Sequence, residues 1–173
     1  MITTLKVLLV CPEEQRSEFE GLLASDARSA IVGATAVEAH AGPAQVLEAV
    51  APLLERSRAE DETVAVERWR EEAGRNGRAT AGWSPTLEAA SDGRVDVLLY
   101  EDGVERAVWR CPACGRLASD SGKCPLDGTT LERRDAGLDL AIHQTLAHGG
   151  TVTVVRERRD LEPVEGVGAL LRF

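Results

Sequence analysis

Apolar positions in the first sixty residues fall alternately into short runs and helical stripes. The run Leu5-Lys6-Val7-Leu8-Leu9-Val10 is short, partly β-branched and closed by Cys11-Pro12, which predicts a buried strand. Pro12 at a first helical position, with Glu13 and Glu14 in the first turn, then predicts a helix to about Ala24. Its apolar face is Phe19, Leu22 and Leu23. Residues 30–37 predict a second strand. Gly42-Pro43 opens another helix with Val46, Leu47, Val50, Leu53 and Leu54 on one stripe and a kink expected at Pro52. Residues 1–60 thus read β-α-β-α, which is few elements for an independent core.

From Arg56 to Gly74 charge dominates, with Val64, Ala65 and Trp69 at helical intervals, so a helix linking two domains is expected. Ser84 as N-cap and Pro85 as first residue predict a helix over 84–91. Strands are expected over 94–100, 106–110, 130–133, 151–155 and 167–173. Residues 137–148 predict a helix lined by Leu138, Ile142 and Leu146 and ended by Gly149-Gly150. Strands alternating with helices imply a mixed α/β sandwich over about 61–173. The fold class is therefore α/β, with a small mini-domain inserted near 108–132.

Composition narrows the core and the partners. Apolar residues make up 43% of the 173, but aromatics only 3%, so the core must be aliphatic. The net charge of −9 argues against wholesale wrapping of nucleic acid, and DNA is not an expected partner. Residues 1–60 carry 9 acids and 5 bases, and residues 61–173 carry 20 and 15, so the acidity is not confined to a tail. A local basic patch remains compatible with RNA. No apolar stretch approaches membrane length and the N-terminus does not read as a signal peptide. Three of the four cysteines lie in turn contexts suited to metal, which points to a reducing compartment, the cytoplasm.

Those turns are Cys111-Pro112-Ala113-Cys114-Gly115 and Cys124-Pro125-Leu126-Asp127-Gly128. Each knuckle offers two side chains from one tight turn, so Cys111, Cys114, Cys124 and Asp127 can close a tetrahedron around a divalent ion. The glycine after each second ligand lets the backbone turn its amides toward the sulfurs. Asp127 in place of a fourth thiolate leaves two readings, a structural zinc or a ribbon that no longer holds metal tightly. A closed four-ligand site leaves no open position for catalysis.

These features together resemble the archaeal and eukaryotic class-1 peptide-chain release factors, their relative Pelota and the bacterial proteins of the same superfamily. The resemblance rests on Val66-Glu67-Arg68-Trp69-Arg70-Glu71-Glu72 and on Pro85-Thr86-Leu87-Glu88-Ala89-Ala90 running into Gly93-Arg94-Val95-Asp96-Val97-Leu98-Leu99. The first knuckle and the closing Gly166-Val167-Gly168-Ala169-Leu170-Leu171-Arg172-Phe173 complete it. It implies that residues 1–60 are the later half of the family's central domain. Residues 61–173 would be its third domain, an α/β/α sandwich akin to some small RNA-binding ribosomal proteins. The Gly-Gly-Gln tripeptide by which release factors position water for peptidyl-tRNA hydrolysis does not occur in this chain. The resemblance therefore implies a non-catalytic factor docking on the ribosome or a translational GTPase, in ribosome rescue or hibernation. Two alternatives stand beside it: an RNA-binding module without a GTPase partner, and a fragment of a hydrolysing release factor.

Other residues read as structural. Cys11 is expected to be a small core residue. His40, His143 and His148 have no nucleophile or acid at a recognisable spacing, and Glu13-Glu14, Glu71-Glu72 and Glu101-Asp102 read as helix starts or solvated faces. Trp69, Trp83 and Trp109 are expected to be core or domain-packing residues and not base-stacking platforms, since no basic run interleaves them. Arg133, Arg134, Arg156, Arg158 and Arg159 are the candidates for contact with RNA or a partner.

Overall fold

The computed structural model describes residues 6–38 and 40–173, so Leu5 of the first predicted strand lies outside the described residues. The chain divides into two compact units, Met1–Asp61 and Glu62–Phe173.

In the first unit, β1 (Val7–Val10) pairs in parallel with β2 (Ile31–Thr35), with Leu8 opposite Gly33 and Val10 opposite Thr35. Between them run α1 (Glu13–Leu22) and a short helix not expected from the sequence, α2 (Ser25–Ser29). The apolar face expected of α1 is not buried: Phe19 and Leu22 are exposed and no residue of α1 is buried. Leu53 packs on Gly33, as does Leu8, and the buried apolar positions among the described residues here are Leu9 and Val50.

The two helices expected over 42–54 and 56–74 are one, α3 (Pro43–Gly74), which passes through Pro52. An internal proline removes one i→i−4 bond and its ring crowds the carbonyl of residue i−4, a local cost that this 32-residue helix carries. The stripe in its second half also differs from expectation. Val66 and Trp69 are buried one turn apart, whereas Val64 is exposed.

The second unit is built on a mixed four-stranded sheet in the order β3 (Ala79–Ala81), β9 (Val167–Leu171), β4 (Val95–Glu101), β8 (Thr151–Val155). β4 runs parallel to β8 and antiparallel to β9. Strand alternation sorts side chains to the two faces. Leu98, Val167 and Ala169 join Trp83, Leu87 and Ala141 of the helices α4 (Trp83–Ser91) and α5 (Gly137–Ala147). Leu99 and Leu170 join Val66 and Trp69 of α3. Helices therefore cover both faces of one sheet, an α/β/α sandwich with a mostly aliphatic core.

Helix α4 begins one residue before the expected N-cap: Trp83 is already helical and fully buried, and Gly82 occupies the cap. In α5 Leu138, Ala141 and Thr145 are buried and Ile142 packs against the core as expected, while Leu146 is exposed. The helix closes where expected, with Gly149 N–H on Leu146 O at 2.9 Å and Gly150 N–H on Thr145 O at 2.8 Å. Strand β3 and the 3₁₀ turn Glu162–Val164 are too short to leave a periodic signal. No described helix is long and apolar enough to cross a membrane.

Between β4 and α5 lies a three-stranded antiparallel ribbon, ordered β6 (Leu117–Ala118), β5 (Val108–Arg110), β7 (Glu132–Arg134). It is rooted in the sandwich, since Val108 and Leu117 are part of the larger core.

Candidate metal centre

Two turns of the ribbon have the same backbone plan. In the first, Gly115 N–H donates to Cys111 O at 2.9 Å and Cys111 N–H donates to Arg116 O at 2.8 Å. In the second, Gly128 N–H donates to Cys124 O at 2.9 Å and Cys124 N–H donates to Thr129 O at 2.8 Å. Both turns need a left-handed residue after the second ligand, and Gly115 (φ 79°) and Gly128 (φ 73°) supply it. The duplication follows from the shared Cys-Pro-x-x-Gly pattern.

The four ligand candidates converge. One donor atom from each of Cys111, Cys114, Cys124 and Asp127 lies within 4.8 Å of all the others. Cys114 Sγ is 3.5 Å from Cys124 Sγ, and Cys111 Sγ is 3.4 Å from Asp127 Oδ2. Thiolates at about 2.3 Å from a tetrahedral zinc stand about 3.8 Å apart, and a thiolate and a carboxylate oxygen about 3.5 Å apart. The observed edges are close to these, and the sulfurs are far outside the roughly 2.05 Å of a disulfide. The donor set therefore fits a tetrahedral, borderline-soft divalent ion. Cys111 and Cys124 are buried, whereas Cys114 and Asp127 face solvent.

The surroundings polarise these groups unequally. The backbone N–H of Cys114, 3.5 Å from Cys111 Sγ, lowers the Cys111 pKa and outweighs the opposing effect of burial. At Cys114 the Arg116 N–H pulls the same way, but burial and the neighbouring Cys111 and Cys124 thiols prevail and push it up to about 11. Asp127 is held down at about 2, chiefly by the Thr129 N–H donating to Oδ1 at 2.9 Å. The ribbon is also tied to the sandwich: Gln144 of α5 donates to Gly115 O at 3.0 Å, and Leu117 N–H donates to Ser91 Oγ at 2.9 Å.

The five candidate contact arginines fall in two places. Arg133 and Arg134 lie on β7, with Arg133 paired to Asp135 at 2.9 Å and Arg134 paired to Glu132. The other three lie in the loop after β8. Arg156 is 3.6 Å from Asp102, and Arg158 is engaged by Glu67 at 2.7 Å and Asp160 at 2.8 Å. Arg159 is exposed and makes no ion pair among the described residues.

That loop has an anchor that the sequence did not reveal. Glu62 is buried, and its carboxylate accepts three successive backbone N–H groups, from Arg156 (3.1 Å), Glu157 (3.0 Å) and Arg158 (3.1 Å). Cys11 is half-buried at the end of β1, and His40, His143 and His148 are all exposed. Trp69 and Trp83 are buried as expected, whereas Trp109 belongs to neither core.

No family model matches the chain, and no curated protein matches it by sequence. Solved structures do share its fold. The C-terminal domain of the peptide chain release factor from Methanosarcina mazei is 23% identical, with a TM-score of 0.55 over 78% of this chain and 98% of that one. Archaeal Pelota, in a model of ribosome-bound Pelota and ABCE1, is 19% identical with a TM-score of 0.58, over 98% of this chain and 43% of that one. Dom34 of S. cerevisiae, a translation termination-like factor involved in RNA quality control pathways and interacting with Hbs1, is 15% identical with a TM-score of 0.51, over 97% of this chain and 46% of that one. The chain thus spans less than half the length of these last two proteins. Its fold is that of the C-terminal portion of release factors and Pelota.

Proposed function

We propose that this chain is a non-catalytic, translation-associated factor that docks on the ribosome, with a translational GTPase as a further partner. The observation that carries this reading is the likeness of fold to archaeal Pelota over 98% of the chain, since that structure is of Pelota bound to the ribosome. In this reading residues 1–60 correspond to the later half of the central domain, and residues 61–173 form the third domain, the docking module. The process is ribosome rescue or hibernation, and the setting is the cytoplasm. The chain carries no Gly-Gly-Gln, so no hydrolysis of peptidyl-tRNA is assigned to these residues.

Zinc belongs to the same reading. Cys111, Cys114, Cys124 and Asp127 would hold it, and it would staple a ribbon whose strands are two and three residues long. The chemistry it supplies is structural, because four protein donors fill a tetrahedral shell.

Co-sedimentation with ribosomes from growing and from starved cells, at moderate salt, tests the proposal. Binding enriched on idle ribosomes supports docking in rescue or hibernation. Absence of binding to either preparation ends the ribosomal reading.

A further inference from the structure

The ribbon has an inner and an outer face, and they differ in chemistry. Residues opposite one another on antiparallel strands share a face, and neighbours along a strand alternate. Val108 of β5 and Leu117 of β6 point into the sandwich core. Trp109 is therefore on the other, outer face, in one row with Ala118 of β6 and Arg133 of β7, its direct partners on either side.

Trp109 is half-buried and packs into neither core, although the chain has very few aromatic residues to spare. Arg133 beside it is 64% exposed, and its ion-pair partner Asp135 is 83% exposed. An exposed pair of that kind adds little stability and is readily exchanged for another anion. The row ends at β7, an edge strand with all three residues exposed.

Local charge fits the same picture. Residues 108–135 contain five bases (Arg110, Arg116, Lys123, Arg133, Arg134) and four acids (Asp120, Asp127, Glu132, Asp135), a balance of +1, with Arg110 and Arg134 on the inner face by the same alternation. The remaining 15 bases and 25 acids leave the rest of the chain at −10. A divalent ion with three thiolates would trim the ribbon by one charge and bring it to neutrality. The ribbon is thus close to neutral in a chain that is otherwise acidic.

We propose that the outer face of the ribbon binds unpaired RNA, with a base stacking on Trp109 and Arg133 holding an adjoining phosphate. An indole on a sheet face next to a guanidinium offers the two contacts that single strands use, stacking and backbone neutralisation. In the loop after β8, Arg158 is held by Glu67 and Asp160, and residues 156–166 include no aromatic side chain on which a base could stack. This site does not depend on the ribosomal reading, because its probe is naked RNA.

The test is fluorescence anisotropy of a labelled single-stranded RNA of roughly ten nucleotides with the zinc-loaded full chain, at about 50 mM and about 200 mM salt. Trp109→Ala is expected to weaken binding about 10-fold or more, and Trp109→Phe to retain most of the affinity. Arg133→Glu is expected to weaken binding and to flatten the salt dependence by about 0.7 in logarithmic slope for each phosphate that is no longer neutralised. Circular dichroism and metal content establish that each variant is folded. Arg133 is exposed, so its substitution tests the face even where loss of the indole disturbs the ribbon. Failure of the unaltered chain to bind at low salt, or equal binding by Arg133→Glu, Trp109→Phe and Trp109→Ala, overturns the proposal. Loss of ribosome binding in these variants with RNA binding unchanged also overturns it, and would identify the face as a protein-binding surface.

Discussion

Gly168 lies directly against Trp69: a Cβ at residue 168 would stand 2.7 Å from the indole Nε1. That nitrogen is already committed, donating a 2.8 Å hydrogen bond to the Thr80 carbonyl. The same Cβ would also meet Thr80 O at 2.9 Å, and a backbone atom cannot rotate away. The close approach of α3 to the sheet therefore depends on a residue without a side chain in β9.

Gly168→Ala is accordingly expected to destabilise the second unit by about 1–3 kcal/mol, the range for overpacking in a filled core. Urea unfolding followed by tryptophan fluorescence would measure it. Trp69→Phe, which removes the indole nitrogen, should lessen the penalty of the alanine in a double-mutant cycle. Unchanged midpoints would mean that the helix and the sheet can part at no cost.

Glu62 supports a second prediction. Its carboxylate gathers the N–H groups of residues 156–158, so truncation leaves three donors without their acceptor. Glu62→Ala should cost about 2–3 kcal/mol and speed amide exchange at those three positions. Glu62→Gln should fall between, since the amide keeps one acceptor but turns a donor toward the loop. Thermal melts with residue-resolved exchange would decide it; exchange unaltered by either change would show that the loop holds itself.

Much of this architecture is legible in the sequence where the signal is local. The knuckles can be read because ligand type, proline and glycine recur within five residues, and β8 can be read because Thr151–Val155 is an uninterrupted β-branched run. The rest depends on tertiary placement. Glu62 sits in a charge-rich stretch and looks like any solvated acid until the loop after β8 folds over it. Val64 and Val66 are equally apolar, and only the sheet beneath decides which is buried. Trp109 reads as a core or domain-packing residue because large aromatics usually are, but the pleat of a three-residue strand turns it away from the sandwich core.

The pair Asp160 and Arg158 gives a dependence on pH. The Arg158 guanidinium, donating at 2.8 Å, holds the Asp160 carboxyl below its ordinary range. A carboxyl whose folded pKa lies below its unfolded value adds stability in its ionised form. That contribution is complete above the unfolded value of about 3.9 and is lost as the pH falls through the lower folded value. Asp160→Asn should therefore be less stable than the unaltered chain at neutral pH, and the gap should narrow as the pH drops below about 4. Denaturation midpoints across that range would check it; a gap that stays constant would assign the effect to shape and not to charge.

Metal removal should act on the ribbon and stop at its root. Residues 111–116 and 119–130 contain the four ligands and no strand, so without a staple they have little to bury. Val108 and Leu117, by contrast, are 0% and 2% exposed and belong to the sandwich core. Chelation is therefore expected to speed amide exchange through both knuckles while β4 and β9 remain protected. Cys114→Ser should produce part of the same loosening with zinc present, because a hydroxyl is a poor substitute for a thiolate. Asp127→Cys should act in the opposite sense and slow the loss of metal, since it replaces a hard oxygen with a soft sulfur. Hydrogen exchange read by mass spectrometry, with and without chelator, separates the outcomes. Exchange in the knuckles that is unchanged by chelation would mean that the backbone hydrogen bonds of the two turns suffice. Exchange that rises in β4 and β9 as well would mean that the metal holds the whole second unit.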